Sequence, residues 1–170
     1  VISRWMFSRT GDVAEKVDIV FQGSARAPVC LALTHGAGAG IDSDFMEECS
    51  RGLAARELRV ARFEFPYMQR IRETGKKRPP DRAPVLLETW QTVIGQLKRR
   101  LRPGKKKLVI GGKSMGGRIA SMVADEGQVA GLVCLGYPFH PPGKPDRLNA
   151  EVIRNLNVPT LFLQGERDPF

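Results

Sequence analysis

The feature of this 170-residue sequence that most restricts its fold is a serine flanked by glycines. Residues 112–116 read Gly-Lys-Ser-Met-Gly, which fits the G-x-S-x-G pattern of a nucleophile elbow. A serine attacks well when it is exposed on a sharp strand-to-helix turn, where the close backbones favour glycine. Residues 108–110 are apolar, and the residues after the serine form an apolar helical face: Ile119, Met122 and Val123. This context predicts Ser114 as a nucleophile; the alternative is a small residue in a glycine-rich turn.

Strand-like and helix-like patterns alternate along the rest of the chain. Apolar or alternating runs predict strands at 16–21, 28–34, 58–65, 108–110, 129–135 and 160–165. Helical spacing predicts helices at 45–54 (with Asp44 and Glu47 as a capping pair), 84–101, after Ser114, and at 148–156. Residues 67–83, rich in Arg, Lys and Pro, predict a long exposed connection or a mobile lid. The order predicts an α/β fold with a mostly parallel sheet and helices on both faces.

A glycine-rich segment, His35–Gly40, follows the second predicted strand. Because parallel strands gather their carboxyl ends at one edge, this segment is expected beside Ser114. A nucleophile elbow needs two backbone donors for the substrate oxygen, one of them the N–H after the serine. We therefore predict an oxyanion hole formed by Gly36, Ala37 and Met115; the alternative is a flexible turn. His35 is expected to hold this loop by hydrogen bonds and to border the pocket.

A carboxylate, Asp168, comes just after the last predicted strand. In the chain order serine, acid, histidine, this is where the acid of a catalytic triad lies. Its role would be to orient an imidazole and to stabilise its charged form. An aspartate before a proline is also a common turn residue, so both interpretations stay open.

Residues 1–170 contain no candidate for the triad histidine after the acid. Only His35 and His140 occur, and neither follows Asp168. His140 lies in a proline-rich loop that is expected to shape the pocket. A serine without a base is a poor nucleophile at neutral pH, so residues 1–170 are expected to hydrolyse esters weakly or not at all. We expect the missing histidine on a loop after one further strand.

The formal net charge of +9 limits the possible partners. The excess lies in residues 70–82 and 98–107, which form either a solvated basic face or a surface for an acidic protein. Nucleic-acid binding is disfavoured because no zinc-finger spacing or RNA-binding aromatic motif accompanies the charge. Nucleotide-binding loops are disfavoured as well, since Lys107 and Ile41 stand where the P-loop and dinucleotide motifs need glycine.

Cysteine use and hydropathy indicate the compartment. The three cysteines, Cys30, Cys49 and Cys134, give an odd count without metal-like spacing. No apolar run approaches the roughly 20 residues of a membrane span, and the N-terminus lacks a continuous apolar signal segment. We therefore expect a cytoplasmic protein that contacts no membrane. The sequence does not begin with Met, which suggests a fragment or a processed form.

Four segments in this order carry a resemblance to a known family: 33–38, 112–118, 136–145 and 164–170. Together they resemble a small α/β-hydrolase of the dienelactone-hydrolase-like type. They are most similar to the group that contains the testis-expressed hydrolase-like protein and the NSL chromatin-complex subunit. The resemblance implies an α/β-hydrolase fold with Ser114 at the nucleophile position and Asp168 at the acid position. The chain departs from true dienelactone hydrolases, which have a cysteine nucleophile.

Two functions from different classes follow from these observations. Residues 1–15 are expected to be an N-terminal extension, and 16–170 an α/β-hydrolase-like domain truncated before its last strand and helix. The first function is a serine hydrolase that acts on a small ester, thioester or similar acyl substrate, with no metal or organic cofactor. The second is a non-catalytic hydrolase-like interaction module that binds an acidic partner through its basic faces.

Overall fold

The computed structural model describes residues 16–101, 106–141, 143–144, 146–148 and 151–169, so the predicted N-terminal extension at 1–15 lies outside it. The described strands are β1 Ile19–Gln22, β2 Val29–Thr34, β3 Arg59–Phe63, β4 Lys107–Lys113, β5 Gly131–Leu135 and β6 Thr160–Leu163. The described helices are α1 Asp44–Ala54, α2 Pro66–Thr74, α3 Ala83–Arg100, α4 Met115–Val123 and α5 Glu151–Arg154. None of these helices has the length and apolarity that crossing a bilayer requires.

The strands form one sheet in the order β1-β3-β2-β4-β5-β6. Neighbours from β3 to β6 are parallel, whereas β1 runs antiparallel to β3 at the edge. The predicted α/β class with a mostly parallel sheet is therefore confirmed. This topology places the carboxyl ends of β2, β4, β5 and β6 on the same side of the sheet, together with the segments that follow them.

Side chains of β2 show how the two faces of the sheet are covered. Cys30 and Ala32 are buried in the cluster that includes α3 and α4, while Leu31 and Leu33 are buried in the cluster with α1. Successive strand residues point to opposite faces, so a strand covered on both sides has a continuous apolar sequence. Trp90 of α3 is fully buried in the larger of these two clusters. Helices therefore pack on both faces, as predicted.

Residues 66–74 form a helix, so the prediction of an exposed connection or lid is wrong for them. Pro66 occupies the first turn of α2, Tyr67 and Met68 are buried, and Gly75 ends the helix with a φ of 68°. The following segment is tied back because Asp81 Oδ2 accepts a hydrogen bond from Tyr67 N at 2.7 Å. The basic side chains that suggested a solvated loop are partly engaged in ion pairs.

Three smaller predictions also differ from the structure. Ser43, not Asp44, precedes α1, and its side chain makes no capping hydrogen bond. Glu47 instead accepts a hydrogen bond from Arg62 Nη1 at 2.6 Å, so it serves α1–β3 packing rather than a capping box. Met122 is 37% exposed and lies off the buried face of α4. Of the helix predicted over 148–156, the described residues form α5 alone, while 149 and 150 lie outside the described part of the chain.

Candidate active site

Ser114 occupies the turn between β4 and α4. Its φ of 50° and ψ of −118° lie in a region that residues with a Cβ rarely adopt. The turn is fixed on both sides: Ser114 N donates to Leu135 O at 2.9 Å, and Arg118 N donates to Ser114 O at 3.1 Å. The strand, the sharply turned serine and the helix thus occur as the sequence predicted. The role of Ser114 as a nucleophile remains a prediction.

Glycines around Ser114 are required by the close packing of the elbow. A Cβ on Gly112 would lie 2.7 Å from Thr34 O, and a Cβ on Gly116 would lie 2.5 Å from His35 O. A Cβ on Gly117 would lie 2.7 Å from Gly112 O. These obstacles are backbone atoms, which cannot move aside without shifting β2 or β4. The first turn of α4 therefore contacts the end of β2 directly and brings it against the serine.

We expect Gly116→Ala to destabilise the protein by about 1–3 kcal/mol, the usual cost of overpacking. The physical reason is the 2.5 Å approach of the added methyl carbon to His35 O. Denaturant unfolding would measure the effect. Gly165→Ala is the control, because a Cβ there would meet nothing within 4 Å. Equal stability of the two variants would contradict this account of the elbow.

The glycine-rich segment after β2 lies against the elbow. Gly36 is buried, and a Cβ on it would lie 3.5 Å from Ser114 Cβ. Ala37, the next residue, is exposed. Met115 is the first residue of α4, where backbone N–H groups have no partner within the helix. The structure thus brings Gly36 next to Ser114, and Ala37 and Met115 flank this contact along the chain.

His35 is a buried structural histidine. Its Nδ1 lies 2.7 Å from Gly36 O, and its Nε2 accepts a hydrogen bond from Phe65 N at 3.2 Å. Since Nε2 accepts, Nδ1 carries the proton and the ring is neutral. Both nitrogens are engaged in holding the loop, which agrees with the predicted hydrogen-bonding role. A ring with no exposed surface and no spare nitrogen cannot act as the general base.

Burial at His35 predicts a pH dependence of stability. Desolvation lowers the pKa of His35 below its ordinary value of 6.5. The unfolded chain therefore binds a proton more readily, so this contribution to stability is present above about pH 6.5 and is lost as the pH falls towards the folded-state pKa. Urea unfolding at pH 7.5 and pH 5 would show the loss. His140→Gln should keep the difference and His35→Gln should reduce it; an undiminished difference in His35→Gln would contradict the assignment.

Asp168 lies beside the end of the strand that neighbours Ser114. Gly136 follows β5 with a φ of 63°, and a Cβ on it would lie 3.1 Å from Asp168 Oδ2. Gly136 N donates to Leu163 O at 2.8 Å, which joins the ends of β5 and β6. Ser114 and Asp168 therefore flank the end of β5, on strands roughly 10 Å apart by sheet spacing. An imidazole between them would complete a triad.

His140 lies in the loop that follows β5. It is half-buried, and its Nδ1 lies 3.1 Å from Pro141 O. Among the described residues, no hydrogen bond joins His140 to Ser114. The predicted pocket role of His140 stays a prediction, and Pro142 and Pro145 of the same loop lie outside the described residues.

An open cleft of about 640 Å³ borders Asp168. Its walls are mostly apolar and include Phe45, Cys49, Leu135 and Leu163. Lys113 also lines it, with Nζ 4.5 Å from the centroid of the Phe45 ring. The cleft lies next to the acid position rather than at Ser114 itself. Within the described part of the chain, no group of three or more His, Cys, Asp or Glu side chains could hold a metal ion.

The sequence interpretation missed the contribution of α2 to this site. Tyr67 Oη donates to Gly36 O at 3.2 Å and to Ala37 O at 3.1 Å. Farther along the same loop, Glu64 Oε1 accepts a hydrogen bond from Ile41 N at 3.2 Å. A helical signal was available, because Pro66 precedes apolar residues at helical spacing. The basic residues of this segment indicated an exposed connection instead.

An α/β-hydrolase-type domain is defined by three features together: the order of the strands in the sheet, the strained serine and the glycine-rich loop. The chain belongs to this family: residues 27–170 match the family described as alpha/beta hydrolase domain.

Solved structures with the same fold come from several bacteria. An α/β serine hydrolase without a lid from Xanthomonas campestris is 14% identical, with a TM-score of 0.63, over 87% of this chain and 77% of that one. An α/β serine hydrolase homologue from Coxiella burnetii is 15% identical, with a TM-score of 0.66, over 98% and 80%. A dienelactone hydrolase from Anabaena variabilis is 19% identical, with a TM-score of 0.68, over 91% and 70%. At these identities, the likeness establishes the fold.

Proposed function

We propose that the protein is a serine hydrolase that cleaves a small ester, thioester or similar acyl substrate. The observation that carries the proposal is the strained Ser114 turn, which lies against Gly36 and is separated from the Asp168 carboxylate by the end of β5. Keeping a non-glycine residue at this φ costs free energy, and such strain is typical of functional sites. The chemistry requires neither a metal nor an organic cofactor.

In the proposed reaction, Ser114 Oγ attacks the acyl carbon while its proton passes to an imidazole. The N–H groups of Gly36, Ala37 and Met115 are the candidate donors to the oxyanion. The imidazole then protonates the leaving alkoxide or thiolate, and water hydrolyses the acyl-enzyme by the same route. Asp168 would orient the imidazole. Both nitrogens of His35 are engaged, so His35 is not this base.

We further propose that the protein belongs to the group containing the testis-expressed hydrolase-like protein and the NSL-complex subunit. The loop at 136–145 and the segment at 164–170 support this assignment by resemblance. The fold shared with the dienelactone hydrolase from Anabaena variabilis is compatible with it. A cytoplasmic location fits the free thiols, of which Cys30 and Cys134 are buried in strands.

A fluorophosphonate probe tests the hydrolase proposal, because it reacts covalently with activated serines. The full-length wild-type protein should be labelled, labelling should be blocked by a competing ester substrate, and Ser114→Ala should remove it. Ser121→Ala is a suitable control, since Ser121 is a buried serine of the same helix that bonds to Arg118 O. Absence of labelling in the full-length wild-type protein would exclude the proposal.

A specific charge arrangement favours a second candidate, a module that binds an acidic protein. Cations at the start of β3, at the end of α3 and around the start of β4 form a surface that we call the basic edge: Arg59, Arg99, Arg100, Lys106 and Lys107. The four ion pairs among the described residues use Arg62, Arg70 and Arg72, and none uses the basic edge. Two of its guanidinium groups instead lie over the Phe21 ring, 4.3 and 5.4 Å from the centroid.

The basic edge is at the opposite end of β4 from Ser114, so binding there should be independent of catalysis. Arg99→Glu with Arg100→Glu should abolish salt-sensitive binding to a poly-glutamate peptide, while Ser114→Ala should leave it intact. Lys76→Glu with Lys77→Glu offers an exposed control of equal charge change. Retained binding in the Arg99 and Arg100 variant would exclude this surface. Preferential binding to nucleic acid would replace the acidic protein as partner.

A further inference from the structure

The hydroxyl group of Tyr67 lies beneath the loop that follows β2. Its ring has no exposed surface and packs in an edge-on contact with His35, with 5.7 Å between ring centroids. The oxygen lies 3.2 Å from Gly36 O and 3.1 Å from Ala37 O. Neither carbonyl oxygen has a proton to give, so the Tyr67 hydroxyl is the donor, and its single proton is shared between the two oxygens.

The proton on this hydroxyl is retained over the ordinary pH range. Burial raises the pKa of Tyr67 to about 12, and the nearby charges of Asp81 and Glu64 act in the same direction. The hydroxyl is therefore neutral and able to donate at neutral pH.

This shared hydrogen bond from one side chain orients two consecutive peptide groups. In a trans peptide the C=O and N–H point in opposite directions, and no described peptide bond is cis. Because Gly36 O faces Tyr67, the N–H of Ala37 faces away from it. Ala37 is exposed, and a Cβ on Gly36 would lie 3.5 Å from Ser114 Cβ, so this peptide group borders the serine. Two side chains contact its carbonyl oxygen, His35 through Nδ1 at 2.7 Å and Tyr67 of α2 at 3.2 Å.

We propose that Tyr67 is a positioning residue of the oxyanion hole, whose hydroxyl holds the Gly36–Ala37 peptide with its N–H towards the substrate oxygen. The inference rests on the proposed hydrolase function. The proposal gives α2 a part in the oxyanion hole. Tyr67 is called a positioning residue because it acts through the Gly36–Ala37 peptide and does not touch the substrate. Preorganised donors matter because they need no reorientation as charge develops in the transition state.

A pair of buried tyrosines gives a matched test in the full-length protein. Tyr67→Phe keeps the ring and removes the hydroxyl, so kcat for a small ester should fall about tenfold with KM nearly unchanged, the effect of one hydrogen bond. Affinity for a boronic acid that mimics the tetrahedral intermediate should fall by the same factor. Tyr137→Phe should change neither quantity, because Tyr137 Oη lies 3.4 Å from Ser121 Oγ, away from the loop. Equal kinetics of wild type and a folded Tyr67→Phe would overturn the proposal.

A second variant covers the case in which Tyr67→Phe does not fold. Replacing Tyr67 with 3,5-difluorotyrosine keeps the hydroxyl but lowers its pKa, so the proton is lost at lower pH. The alkaline limit of kcat should move to lower pH, which a purely structural ring would not cause; an unmoved limit would overturn the proposal. Failure of the hydrolase proposal is distinguishable, since it shows as an inactive full-length wild type. An active wild type with unaffected Tyr67 variants removes only the role of Tyr67.

Discussion

Ser114→Ala in the full-length protein is expected to lower kcat for ester hydrolysis by about a thousandfold or more. The reason is that, in the proposed reaction, Ser114 Oγ is the nucleophile that forms the acyl-enzyme. KM should change little, because binding uses the surrounding cleft and backbone rather than the hydroxyl. Steady-state kinetics with a chromogenic short-chain ester would measure both parameters.

A serine of the same helix serves as control for this prediction. Ser121 is buried in α4, the helix that follows Ser114, and its Oγ donates to Arg118 O at 2.7 Å, so Ser121→Ala removes a serine hydroxyl that has a structural partner. Its kcat per folded molecule should stay close to that of the wild type. If Ser114→Ala retained wild-type kcat, the strained turn would need an explanation other than nucleophilic catalysis.

Much of the fold could be predicted from the periodicity of apolar residues in the sequence. Residues 28–34 are apolar without interruption because β2 is covered on both faces, and the stripe from Leu86 to Leu97 matches the buried face of α3. The elbow is recognisable because its sequence pattern is local, although the backbone atoms that Gly112 and Gly116 face belong to Thr34 and His35, far away in the chain. Strand and helix periodicity is contained within a few consecutive residues, so the sequence shows it directly.

The parts that escaped prediction depend on pairing between distant residues. Arg72 looks like a solvated loop residue, yet it pairs with Glu64 at 2.6 Å and with Asp42 at 2.8 Å. Glu47 looked like a capping residue because its partner, Arg62, lies on another element. The two bonds of Tyr67 to the β2 loop join residues about thirty positions apart. Local spacing carries no information about such contacts.

Asp168→Asn in the full-length protein is expected to lower kcat by about 10⁴-fold while KM stays nearly constant. A triad carboxylate accepts a hydrogen bond from the N–H of the imidazole and stabilises the imidazolium that forms as the serine attacks the substrate. An amide can present its own N–H instead, which holds the ring in the wrong tautomer and withdraws the negative charge. Kinetics of an ester substrate would measure the loss.

A neighbouring carboxylate separates this role of Asp168 from a general effect of charge. Glu166 lies on the same turn and is exposed, so Glu166→Gln removes one negative charge two residues away. It should keep most of the wild-type kcat, because only Asp168 reaches Gly136, at the end of the strand beside Ser114. A similar loss in both variants would indicate an electrostatic effect of the turn as a whole. If Asp168→Asn kept the wild-type kcat, the acid of the triad would lie elsewhere. Asp168 would then be a turn residue, the alternative that the proline after it also indicates.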